Sequence, residues 1–138
     1  MKRNLIGTLS LVALSVLLTA SGAFAQGPVK ADVPFAFTAW NAQLPAGCYT
    51  ITPQLSATIM IRNCKTGAVR YSSVQRGYPR NNSPKLVFHR FGDQYFLTEV
   101  RGVSDAMGMT LPKSKLEKEL QLAQGSSNAS EETVIAHK

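Results

Sequence analysis

Two cysteines, two histidines and eight carboxylates are the main residues in this 138-residue chain that could ligate a metal or move a proton. Cys48 and Cys64 form no C-x-x-C pair and have no histidine nearby in sequence, so a redox or zinc role lacks its usual spacing. His89 falls in a predicted strand and His137 near the C-terminal end, whereas a metal site needs three or four converging ligands. Gly102-Val103-Ser104-Asp105-Ala106 approaches the nucleophile elbow G-x-S-x-G but ends in alanine, and no helix is predicted to follow it directly. Glu117, Glu119, Glu131 and Glu132 fall in a predicted helix and the C-terminal segment, and Asp93 at a turn tip, so no carboxylate pair stands out for acid–base work. There is no phosphate loop, dinucleotide fingerprint or H-E-x-x-H. The expectation is a protein without catalytic residues, metal or cofactor.

Basic residues carry the other candidate chemistry. Between Arg62 and Arg101 they outnumber the acids, which are Asp93 and Glu99. Arg70, Arg76, Arg80, Lys85 and Arg90 are the candidate polyanion-facing set, set against the plainer reading of a solvated basic surface. For an exported chain the matching partners are acidic polysaccharide or lipid headgroups, and nucleic acid is not expected.

The elements that would position these residues read as strands and one helix. Val33–Phe37 alternates, with Pro34 restricting it to a sheet edge. Pro45-Ala46-Gly47 is a turn, followed by a strand over 48–52 and its partner over 57–62. If these two pair around a turn near Leu55–Ser56, opposed residue numbers sum to about 112. Cys48 then lies across from Cys64, and a structural disulfide is the expectation; two free thiols are the alternative. Residues 68–75 alternate again, and 76–84, with Gly77, Pro79, Asn81 and Asn82, read as a loop.

Lys85 to Arg101 is the clearest hairpin. Its strands flank Gly92-Asp93, and glycine in the first loop position suits a type II′ turn. Phe91 should then oppose Gln94, and His89 oppose Phe96. One face would carry Leu86, Phe88, Tyr95 and Leu97, the other Val87, Phe91, Phe96 and Val100. Because both faces are apolar, both should be covered. The predicted cover is a helix over 115–124, started by the capping box Ser114…Glu117, ended by Gly125, and striped with Leu116, Leu120 and Ala123. Residues 125–138 read as a polar tail in which Thr133–Ala136 could add a strand.

Composition agrees with one folded domain. The chain is 44% hydrophobic and 17% charged, which excludes collagen-like and polar disordered chains. Met1–Ala25 has the plan of a secretory signal peptide: basic Lys2 and Arg3, an uncharged run over Leu5–Leu18, and Ala23-Phe24-Ala25 before the cleavage point. The domain plan is therefore 1–25 signal peptide, 26–124 β domain with its helix, and 125–138 tail. No transmembrane segment is expected after cleavage, and the mature protein should be periplasmic or extracellular.

Four blocks together resemble a group of small exported bacterial β-proteins known mostly as uncharacterised sequences. They are Val33-Pro34-Phe35-Ala36-Phe37; Leu44-Pro45-Ala46-Gly47-x-Tyr49-Thr50; Leu86 through Leu97; and Leu111-Pro112-Lys113-Ser114-Lys115. The resemblance spans about residues 29–122 and implies export and a compact β architecture, with no activity or site residue to carry over. The expected fold is mainly β, six or seven antiparallel strands in a sandwich or small barrel, with one C-terminal amphipathic helix. The expected function is a non-enzymatic exported module associating with the cell envelope. The alternative is a barrel-type carrier of a small apolar ligand lined by Phe35, Phe37, Phe88, Phe96 and Leu97.

Overall fold

A computed structural model describes residues 27–55, 57–79, 83–103, 107–125, 130–135 and 137. The predicted signal peptide, Arg80 and Ser104 lie outside the described residues. Among the described residues the fold is mainly β, with two sheets and one C-terminal helix.

The first sheet holds β1 (Val29–Val33), β4 (Gly47–Gln54), β5 (Thr58–Asn63) and β6 (Val69–Ser73), in the order β1-β4-β5-β6. Its strands alternate: Val29, Ala31, Val33, Tyr49, Ile51, Ile59 and Ile61 point into the core, and Lys30 and Arg62 point out. Tyr49 against Asn63 and Thr50 against Arg62 give the expected register. The loop joining these strands includes Ala57 with φ 54°, the left-handed position that three-residue hairpin loops use. Leu-Pro-Ala-Gly-x-Tyr acquires a local reason, because the buried Tyr49 hydroxyl donates to the Pro45 carbonyl at 2.6 Å.

The second sheet runs β11 (Ser130–Ile135), β8 (Lys85–Phe91), β9 (Gln94–Arg101), β10 (Met107–Thr110) and β7 (Gln75–Pro79). The short strands β2 (Phe37–Ala39) and β3 (Ala42–Leu44) hang from it by a parallel bridge, Thr38 to Phe96. Eleven strands are thus present among the described residues, more than the six or seven expected, because several are short and pair only through distant partners.

Three sequence expectations are corrected. Val33–Phe37 is not one strand: β1 ends at Val33, Pro34 interrupts the ladder, and pairing resumes at Phe37. The loop predicted over 76–84 begins as β7, which pairs with β10. The segment read as a polar tail with a strand allowed over 133–136 contributes β11, which starts earlier, at Ser130, and pairs antiparallel with β8.

The hairpin is as expected near its tip, with Phe91 opposite Gln94 and His89 opposite Phe96. Further along, Val87 opposes Glu99 while Phe88 opposes Leu97, so Thr98 is an extra residue, a β-bulge. Its groups are used: Oγ1 donates to the Val87 carbonyl at 3.0 Å, and its carbonyl accepts Leu111 N at 2.9 Å. The bulge turns Val100 onto the face of Leu86, Phe88 and Leu97, which packs into the inter-sheet core, and away from Val87, Phe91 and Phe96. Glu99 and Arg101 face the other way and form a bidentate pair at 2.9 and 2.7 Å.

The helix α1 (Lys115–Gln124) starts where expected, with Ser114 Oγ accepting Glu117 N at 3.1 Å, and Gly125 follows it. Its apolar stripe does not pack as predicted. Leu116 and Ala123 are exposed, and the one buried residue of α1 is Glu117. The approach sets this phase: buried Leu111 is tied to Thr98, and the Ser114 cap then aims the first turn at the hairpin. No helix among the described residues is long and apolar enough to cross a membrane.

Candidate functional site

Two hairpin tips meet at one end of the second sheet. Each has a two-residue loop whose first residue has positive φ, Gly92 at 60° in one and Trp40 at 53° in the other. Glycine is the residue such turns favour. For a side chain with a Cβ the left-handed region costs roughly 1–2 kcal/mol. The Thr38–Phe96 bridge holds the tips side by side.

Between the tips and the first turn of α1 lies an open groove of about 580 Å³, within the roughly 300–1,000 Å³ of small-ligand sites. Trp40 and Leu116 stand in its wall at 40% and 44% exposure. Tyr95 also lines it, with Phe35 stacked on its ring at 3.8 Å and the Arg90 guanidinium 5.4 Å from its centroid. Arg90 is held there by donating Nε to the Gly92 carbonyl at 2.7 Å. The polar lining includes Asn41, Gln43, Asp93, Gln94, Ser114 and Lys115. An aromatic face beside amides and one charge of each sign can hold a ligand with apolar and hydrogen-bonding faces.

The residues singled out from sequence are distributed differently. Cys48 and Cys64 are bonded, with Cα atoms 5.4 Å apart, and Cys64 N donates to the Cys48 carbonyl at 3.0 Å. The four described members of the basic set, Arg70, Arg76, Lys85 and Arg90, are spread over both sheets. Arg70 lies on edge strand β6, opposite core residue Ile61, with Nη1 donating to Val69 O at 2.9 Å. A charge in the inward row of an edge strand discourages further strand pairing. Arg76 is exposed on β7 of the other sheet. Lys85 and Arg90 are half-buried at opposite ends of β8, roughly 17 Å apart at strand spacing. Lys30 and Arg62 do share a face, flanking Thr50 on the outer side of the first sheet beside a smaller hollow of about 340 Å³.

His89 meets a partner that sequence spacing did not reveal. Its Nδ1 is 3.4 Å from Oε1 of Glu117, whose side chain is 3% exposed, against 35% for His89. That carboxylate oxygen has no hydrogen-bond partner. The Glu99 hydrogen bond raises Arg101 above its ordinary pKa, with burial opposing, so this guanidinium stays charged. Among the described residues no group of three or more His, Cys, Asp or Glu could hold a metal ion.

The five residues proposed to line an apolar cavity do not share one. Phe37, Phe88 and Leu97 fill the inter-sheet core, Phe35 packs edge-on against Phe88 at 5.1 Å, and Phe96 lies on the opposite hairpin face against Phe91. Sequence spacing alone passes over Trp40. Its signal is slight: a Trp-Asn pair between Phe-Thr-Ala and Ala-Gln-Leu, two runs too short to read as strands without their partners. Comparison with protein-family models, curated proteins and solved structures finds no match for this chain.

Proposed function

We propose that this chain is an exported, non-enzymatic β module that associates with the cell envelope by holding polysaccharide in the groove at its hairpin tips. The observation that carries the reading is the groove itself, which sets an exposed tryptophan beside amide and charged side chains at one end of the second sheet. The scatter of Arg70, Arg76, Lys85 and Arg90 over both sheets favours polysaccharide over a lipid surface, which would be met by cations gathered on one side. The disulfide is compatible with an oxidising compartment, periplasmic or extracellular, and the resemblance to small exported β-proteins points the same way.

Retention on isolated envelope polysaccharide tests this. Protein recovered from its producing cells should be held more strongly than a control of equal charge. Retention no greater than the control, or retention only on anionic lipid vesicles, overturns the proposal. Terminal sequencing of the same material should begin at Gln26, as cleavage after Ala25 requires.

A further inference from the structure

We infer that Trp40 is the platform on which the groove takes the C–H face of a hexose ring, and that the ligand is a neutral, hydroxyl-rich glycan. The inference rests on the polysaccharide reading and names the chemistry of its site. Of the aromatic side chains in the groove, Phe37 is buried in the core and Tyr95 is already engaged by Phe35 and Arg90. No ring among the described residues packs on Trp40. Trp40 is 40% exposed; the π face of an indole is electron-rich and the C–H face of a pyranose is apolar and weakly positive, so the two are complementary.

The polar groups complete the match. Asn41, Gln43 and Gln94 each offer a donor pair and an acceptor, as vicinal hydroxyls require. Asp93 and Lys115, the two charged residues of the lining, carry opposite signs, and Asp93 would repel a uronate placed beside it. The backbone supplies an independent observation. The neighbouring tip places glycine at its positive-φ position, whereas this tip keeps a bulky tryptophan there. A residue held in a sparsely populated conformation at a ligand-facing tip is a mark of functional constraint.

Trp40 is the only tryptophan of the chain, so its fluorescence reports on this groove alone. Titration with neutral hexose oligosaccharides of differing linkage should give a saturable change in tryptophan emission with at least one of them. Trp40→Asn suits the left-handed position better, so its melting temperature should stay level or rise. Its affinity for the same oligosaccharide, measured by calorimetry, should fall roughly ten- to hundredfold.

Three results would overturn the inference while leaving the envelope reading intact. They are no saturable change with any neutral oligosaccharide although envelope polysaccharide is retained, retention of acidic polysaccharide alone, and equal glycan affinity in the wild type and Trp40→Asn. Absence of retention on every envelope polysaccharide would overturn both.

Discussion

Glu117, placed by the sequence as the capping-box residue of α1, is the residue of the helix that is buried, and His89 faces its carboxylate. A carboxylate taken out of water without full hydrogen bonding is costly, and removing the imidazole that faces it at 3.4 Å leaves it worse off. His89→Ala is therefore expected to lower the unfolding free energy by about 1–3 kcal/mol. Glu117→Met, which keeps the volume and removes the buried carboxylate, should be neutral or stabilising. Combining the two should recover most of the histidine loss. Urea unfolding of the four proteins in a double-mutant cycle measures the coupling, and simple additivity would show that the pair does not interact. The 3.4 Å contact is legible only in three dimensions, since nothing in Ser-Lys-Leu-Glu states which side of the helix will meet a strand 28 positions earlier.

Strands β4 and β5 show how much of an element is readable from its sequence. Their β-branched alternation and the short turn between them set the register, and with it the opposition of Cys48 and Cys64. In the chain-entropy picture, closing a loop of this length stabilises the fold by about 3 kcal/mol. Cys48→Ala/Cys64→Ala should lose about that much in urea unfolding. Added reductant should destabilise the wild type by a similar amount and leave the double variant unchanged. The β8–β9 hairpin was legible only up to its bulge. A two-residue turn propagates a fixed register, but the extra Thr98 is set by Leu111 pairing from outside the hairpin, and it reverses the face of Val100. Glycines nearby serve that arrangement. Gly102 has φ 80°, and a Cβ there would lie 2.6 Å from Pro84 Cα. At Gly108 a Cβ would collide with the Glu99 carboxylate that holds Arg101.

At the scale of the molecule, the two sheets close on each other at both sides. Backbone bonds between Lys30 and His137, at 2.7 and 2.8 Å, join β1 to the segment after β11. On the other side the chain passes from β6 through buried Val74 directly into β7. β11 thus covers the edge of β8, whose Leu86, Val87 and Phe88 are almost wholly buried. Ending the chain after Gly125 should uncover that edge. The expected results are a melting temperature lower by on the order of 5–10 °C and concentration-dependent self-association on a sizing column. An unchanged monomer would show that β11 contributes little to the closure.

Sequence by itself determined the β class, the strand register around the cysteines, the type of the Gly92-Asp93 turn and the start of the helix. Each depends on neighbours in the chain or on alternation within one strand pair. Tertiary structure decided which helix residue is buried, where the bulge falls, that β7, β10 and β11 are strands, and that Trp40 stands beside Asp93 and Lys115 over one groove. These depend on pairings between distant segments, and no local pattern encodes the far partner whose hydrogen bonds and surface complete them.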